Sequence, residues 1–346
     1  MQTRVYAAAS SSAPLAPSTI ERRAVGPRDV QLDVLFCGLC HSDIHQVRSE
    51  WGKATFPMVP GHEIVGRVTA LGADVTRFAI GDIAGIGCLV DSCRSCRWCG
   101  QDHEQFCEKG AAGTYNSTEM DRVTPTYGGY SQQVVVTEHF ALKVPKHLDP
   151  AGAAPLLCAG ITTYSPLRQW GCKEGMRVGV VGLGGLGHMA VKLAAAMGAE
   201  VTMLSTSQSK QADAARLGAT DFGLTSDNAT FKRLAGRYDL LIDTVSAKHD
   251  YNAYLRLLSP FGTMVCVGAP PEPSPMSAFS LIGGNKRLVG SAIGGIRETQ
   301  ELLDFCGERN IIADVEVIAA DKINEAYERT IKGDVRYRFS IDAATL

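Results

Sequence analysis

The chain has 346 residues, 34 Lys and Arg against 36 Asp and Glu, a formal net charge of -2 and 45% hydrophobic residues. That length predicts two domains, each able to bury a core, and the near-neutral balance gives no electrostatic footprint for nucleic acid or an anionic membrane. No apolar run approaches the ~18 residues of a membrane span, so membrane and nucleic-acid partners are both unexpected.

Two patterns divide the chain near Pro150. The N-terminal stretch AAASSSAPLAPST has no continuous apolar core, so no signal peptide is expected. Short β-type runs follow, VQLDVLF, EIVGRVTAL and YSQQVVVT, broken by Gly, Pro and Asp; they predict an irregular, mostly β domain. From Ala151 strands and helices alternate: strand MRVGVVG, helix GHMAVKLAAAMG, strand EVTML, helix SKQADAARLG, strand DLLIDTV, helix YNAYLRLLS, strand TMVCVGA. That alternation predicts a doubly wound parallel sheet over residues 151–293. After Gly294 a helix (ETQELLDFCGER) and two strands (DVEVIAA, RYRFSID) are expected to return to the first domain, which then comprises 1–150 and 294–346.

Within DSCRSCRWCGQDHEQFC, Cys93, Cys96, Cys99 and Cys107 have two, two and seven residues between them. Such short steps let neighbouring thiolates reach one tetrahedral Zn2+, and four sulfurs leave no position for substrate, so this zinc is expected to hold shape. A disulfide framework is the other reading of four clustered cysteines; the spacing and the length of the chain favour metal. The four thiolates on one ion leave a formal charge of about -2, with Arg94, Arg97 and Lys109 placed to offset it. Eleven cysteines, an odd number, fit a reducing compartment and predict a cytoplasmic location.

Directly after the apolar strand VGVV come Gly182, Leu183, Gly184, Gly185, Leu186 and Gly187, then a helix. In that setting G-x-G-x-x-G is a dinucleotide fingerprint: glycines for the tight turn and close approach, and a helix N-terminus for the pyrophosphate. The second strand ends at Ser205-Thr206-Ser207, with Lys210 beyond, where an NAD site usually carries a carboxylate. Hydroxyls and a cation accept a 2'-phosphate, so NADP(H) is expected over NAD(H).

Cys40, His62 and Cys158 could make a three-ligand zinc site with an open fourth position. No spacing rule links them, and each read alone is equally a buried cysteine or a hydrogen-bonded core histidine.

The stretches CGLCHSDIHQ, PMVPGHEIVGRV, GDIAGIGC, the four-cysteine lobe, LLCAGITTYSPL and VGVVGLGGLGHMAVKLA, in this order, resemble the zinc-dependent medium-chain alcohol dehydrogenases. Within them the pattern is most similar to the cinnamyl alcohol dehydrogenase group and its bacterial NADPH-dependent aldehyde reductases, over nearly the whole chain. The resemblance implies an α/β chain: a GroES-like catalytic domain plus a Rossmann domain, with two zinc ions per chain. It implies Cys40, His62 and Cys158 as catalytic-zinc ligands, Glu63 as a transient ligand, Ser42 and His45 as a proton path, and Asp43 as the partner that orients His62. It further implies His41 facing the cofactor phosphates, and Trp51, Cys88 and Tyr115 lining a pocket for an aldehyde or alcohol. The strand RLVGSAIGG resembles the pairing edge of family dimers, which implies a homodimer. Three other functions remain open on these residues: a polyol or secondary-alcohol dehydrogenase, a zinc-free quinone or enoyl reductase, and a non-catalytic nucleotide-binding protein.

Overall fold

The computed structural model describes residues 1–346. Its elements run β1 (Gln2–Ala7), β2 (Ala16–Glu21), β3 (Asp29–Leu39), α1 (His41–Val47), β4 (Ile64–Leu71), β5 (Ile83–Ile86), β6 (Leu89–Asp91), β7 (Ala112–Gly113), β8 (Gln133–Thr137), β9 (Leu142–Lys143), α2 (Pro150–Ala153) and α3 (Ala159–Gln169). The alternating region follows as β10 (Arg177–Val181), α4 (Gly187–Ala196), β11 (Glu200–Ser205), α5 (Gln211–Arg216), β12 (Asp221–Leu224), α6 (Asn228–Arg233), β13 (Tyr238–Asp243), α7 (Tyr251–Leu255), β14 (Leu258–Cys266), α8 (Phe279–Ile282) and β15 (Arg287–Gly290). Last come α9 (Ile296–Arg309), β16 (Val315–Ala319), α10 (Ile323–Ile331) and β17 (Arg338–Asp342).

Two compact units result: Met1–Ile161 with Gly294–Leu346, and Thr162–Ile293. In the first, strands order as β16-β17-β3-β4-β5-β9, with β8 also paired to β3. The eleven-residue β3 makes this possible by pairing along its length with β8, β4 and β17 in turn. Its alternate residues Val30, Leu32 and Val34 are buried with Ile64, Val68, Phe140 and Phe339 in one core. The second unit is a parallel sheet in the order β12-β11-β10-β13-β14-β15, the doubly wound order in which the first strand lies at the centre.

Three details differ from the sequence reading. The changeover falls after Ile161 instead of Pro150, which leaves Cys158 in the first unit. The cause is packing: Leu157 seats on β5, where a Cβ at Gly85 would lie 2.9 Å from its Cδ1. The helix expected through Ser259 ends at Leu255, because Leu258 already pairs with Tyr238 and joins the core with Leu255 and Leu257. The short β12 and α6, with a four-residue strand and a six-residue helix, were too brief to stand out as periodic segments.

Candidate metal and cofactor sites

Strand β3 delivers the chain to Cys40, the N-cap of α1, and the geometry there centres on Asp43. Its carboxylate accepts from Cys40 N at 2.9 Å, capping the helix, and from Gly61 N at 3.1 Å, tying in the loop that carries His62. It also accepts from His62 Nδ1 at 3.0 Å and Tyr130 OH at 3.3 Å, and it has no exposed surface. With Nδ1–H committed to Asp43, His62 offers Nε2 as a ligand atom. Tyr115 stacks on the His62 ring, with centroids 5.8 Å apart.

Ligand atoms of Cys40, His62, Glu63 and Cys158 lie within 4.8 Å of one another, all buried. The Cys40 and Cys158 sulfurs are 4.0 Å apart, close to the ~3.8 Å edge of a tetrahedron with ~2.3 Å metal–sulfur bonds. Of Glu63's two oxygens, Oε1 accepts from Arg338 and Oε2 has no hydrogen-bond partner. Burial pushes the Glu63 carboxyl up to about 7 although Arg338 opposes the shift. Gly38 makes room for this side chain: a Cβ there would fall 2.0 Å from Glu63 Oε2. A soft two-thiolate, one-imidazole set with a spare carboxylate oxygen fits a zinc ion.

Helix α1 carries the remaining polar residues. Ser42 Oγ lies 3.5 Å from Cys40 Sγ, and His41 begins the helix at an exposed position. One turn after Ser42, His45 Nδ1 hydrogen-bonds Glu50 Oε2 at 2.5 Å, and its ring stacks on Trp51, 4.7 Å between centroids. Trp51 is 53% exposed, and Cys88 Sγ lies 3.9 Å from Leu157 O, the residue before Cys158.

Glu50 and Arg338 did not emerge from the sequence. Glu50 could have been noticed as a carboxylate five residues beyond His45. Arg338 lies 275 residues from Glu63 and carries no local signal; only the β17–β3 pairing brings it in.

The sulfurs of Cys93, Cys96, Cys99 and Cys107 form a second cluster within 4.8 Å, with Cys96 and Cys99 3.4 Å apart and Cys93 and Cys99 3.9 Å apart. No disulfide forms among the eleven cysteines. Backbone N–H groups supply the compensating positive ends: Cys96 N points at Cys93 Sγ (3.3 Å), Cys93 N at Cys107 Sγ (3.4 Å) and Glu108 N at Cys96 Sγ (3.5 Å). Donation from the backbone, Ser95 first, brings the Cys93 thiol down to about 6. Two of the three cations expected to offset the charge engage other groups. Arg94 pairs with Asp91 at 2.7 Å, and Arg97 lies over the Trp98 ring, 4.8 Å from its centroid.

In the second unit the glycine-rich turn joins β10 to α4. Gly182 has φ +89, and a Cβ at Gly187 would sit 1.9 Å from Gly182 O, so both must be glycine. A Cβ at Gly184 would meet nothing within 4 Å, leaving backbone open to an approaching phosphate. Gly185 continues the turn and Leu186 is the N-cap of α4. Ser205 ends β11 and its Oγ accepts from Ser207 N at 3.2 Å; Ser207 Oγ is 2.9 Å from Ser209 Oγ. Thr206 and Ser207 are exposed and Lys210 half-buried, with no carboxylate at the strand end. No helix of the chain is long and apolar enough to cross a membrane.

Comparison with known proteins agrees with both halves. Residues 26–146 match the alcohol dehydrogenase GroES-like domain, and residues 185–308 match the zinc-binding dehydrogenase family. The chain is 54% identical over 345 residues to a probable formaldehyde dehydrogenase, AdhA, of Bacillus subtilis, covering 100% of this chain and 99% of that one. It is 55% identical over 342 residues to NADP-dependent alcohol dehydrogenase C 1 of Mycolicibacterium smegmatis, covering 99% and 98%. Among solved structures it superposes on a cinnamyl alcohol dehydrogenase from Sorghum bicolor with a TM-score of 0.96 at 46% identity, over 99% and 98% of the two chains. The chain belongs to the zinc-dependent medium-chain alcohol dehydrogenases, the family its motifs resemble.

Proposed function

We propose that this protein interconverts aldehydes and primary alcohols with NADP(H) at a catalytic zinc, favouring aldehyde reduction. The observation that carries the reading is the buried convergence of Cys40, His62 and Cys158, with Glu63 beside them, in a chain of this family. The relatives' names, an NADP-dependent alcohol dehydrogenase and a probable formaldehyde dehydrogenase, support the cofactor and the substrate class.

Cys40, His62 and Cys158 hold the catalytic ion, and Glu63 Oε2 is the spare ligand. The four-cysteine lobe takes the second zinc, and the Gly182–Gly187 turn cradles the cofactor pyrophosphate. When bound, zinc supplies Lewis-acid polarisation of the substrate oxygen and NADPH supplies the hydride. Asp43 fixes the His62 ring and the start of α1 together, so both ligands on either side of it are set by one carboxylate. Ser42 gives the proton to the oxygen of the reduced substrate. His45, whose Nδ1 is held by Glu50, restores that proton from Nε2 and regains one from solvent, while Glu50 keeps the ring oriented for the transfer. Trp51, Cys88 and Tyr115 line the pocket. Ser205, Thr206, Ser207 and Lys210 receive the 2'-phosphate, since no carboxylate stands there to repel it.

The chain works as a homodimer in the cytoplasm. Eleven cysteines, an odd number with six of them in the two metal clusters, fit that compartment. Strand β15 edges the six-stranded sheet, and just before it Phe279 and Ile282 are 81% and 66% exposed, an edge suited to pairing with its copy.

Ranking kcat/KM over aromatic, short aliphatic and branched aldehydes, with NADPH and with NADH, tests the function. NADPH-dependent reduction is the expected result. Equal use of NADH would overturn the cofactor assignment, and no reduction of any aldehyde would overturn the substrate class.

A further inference from the structure

In the second unit one buried carboxylate ties down the loop beneath the glycine-rich turn. Asp243 ends β13 with no exposed surface. Its Oδ1 accepts from Val245 N at 3.2 Å, and its Oδ2 faces His249 Nε2 at 3.0 Å, so both ends of the 244–249 loop close on one side chain. The other ring nitrogen, His249 Nδ1, lies 2.8 Å from Ala247 O. Both of those partners are acceptors, so the ring satisfies both only as an imidazolium.

The start of this loop is the floor of the turn. Thr244 Oγ1 donates to Val181 O at 2.8 Å and lies 3.1 Å from Gly182 O. A Cβ at Gly182 would fall 2.7 Å from Val245 Cγ2, and one at Gly187 would fall 3.3 Å from Thr244 Oγ1. The loop therefore touches the first and last glycines of the fingerprint.

We propose that His249 is a positioning residue for the cofactor: its imidazolium, bridging Asp243 and Ala247 O, holds the 244–249 loop against Gly182 and Gly187, so NADP(H) affinity falls when the ring loses its proton. This rests on the Gly182–Gly187 turn being the cofactor site. Burial alone would disfavour the charged ring, but Asp243 and the Ala247 carbonyl outweigh it and hold His249 above its ordinary value. The sign follows. The bridge is complete below the ordinary histidine range and is lost as pH rises through the raised value. The surrounding groups are Asp250, whose carboxylate caps α7 through Asn252 N, and the Tyr251 and Tyr254 rings at 4.9 and 5.4 Å; Lys248 is paired with Glu272.

The test is NADPH binding, followed by fluorescence from about pH 6 to 9, on the wild-type protein, His249→Gln, His249→Ala and Gly184→Asp. Wild-type affinity should fall with rising pH beyond any change His249→Gln shows in the same buffers, which removes the cofactor's own titration. At neutral pH His249→Gln should bind about tenfold more weakly, His249→Ala at least as weakly, with the loss concentrated in KM for NADPH instead of kcat. Identical affinities and pH profiles in wild type and His249→Gln would overturn the proposal. So would a pH-independent weakening accompanied by an equal fall in kcat, the mark of a merely structural role. Gly184→Asp separates the two readings, since its side chain enters open space and puts a negative charge where phosphate is expected. Unimpaired binding there would remove the cofactor site itself, whereas lost binding with an unaffected His249→Gln would remove only the role of His249.

Discussion

Replacing Asp43 by Ala should damage the catalytic centre from behind without removing a single metal ligand. Four donors point at this carboxylate: Cys40 N, Gly61 N, His62 Nδ1 and Tyr130 OH. Two are buried backbone N–H groups, each costing about 1–3 kcal/mol when left unpaired, so the expected destabilisation is about 2–6 kcal/mol, less where water enters the hole. His62 meanwhile loses the partner that fixes its tautomer, which typically lowers metal affinity by about 10- to 100-fold. The assays are the denaturant midpoint and the half-time for zinc loss to a chelator. Tyr130→Phe, which removes one bond of 3.3 Å, should cost about 1 kcal/mol and leave zinc retention near wild type. An Asp43→Ala protein with wild-type midpoint and chelator half-time would refute this account of the site.

Cys96→Ser should lower zinc content by one ion per chain and make residues 93–107 the first site of limited proteolysis, because a three-sulfur lobe no longer closes; full zinc content with an intact lobe would exclude it as a structural site. His45→Ala should slow turnover by about 10^2- to 10^4-fold, and Glu50→Gln by less, because the first removes the proton carrier and the second only its orienting carboxylate. An unchanged rate in His45→Ala would take it off the proton path. Burial works against ionisation of Asp239, but Arg177 and the Ser259 hydroxyl outweigh it, so its value lies below the usual carboxylate range. The stability this contributes is present above about pH 4 and is lost as pH falls through the lowered value; Asp239→Asn should therefore flatten the acid limb of the unfolding profile, and an unchanged limb would contradict the pairing.

The nucleotide-binding half was the more legible in sequence. Its central strands are buried on both faces and α4 is largely buried, so β10, α4, β11 and β13 each read as an apolar run set off by glycines or polar residues, and Gly182 and Gly187 are dictated by backbone contacts between near neighbours. The metal lobe was legible for the same reason: its ligands lie within fifteen consecutive residues. The other cluster was not. Cys40, His62 and Cys158 meet because β3, the loop before β4 and the segment after α2 converge on one core, an arrangement of long-range pairing that no local spacing encodes. Motif resemblance named those three residues, but it missed Arg338, which reaches Glu63 only through the strand that closes the sheet. The division after Ile161 instead of Pro150 has the same origin, because Leu157 packs on β5 and carries the neighbouring Cys158 with it.

We propose that catalysis belongs to the Cys40, His62 and Cys158 cluster and that the four-cysteine lobe only holds shape. Zinc content measured alongside NADPH oxidation in Cys158→Ser tests it most directly. The expected result is two zinc ions in the wild-type chain and one in the variant, with NADPH still bound and aldehyde reduction abolished. A variant that keeps both ions and wild-type turnover would contradict the claim.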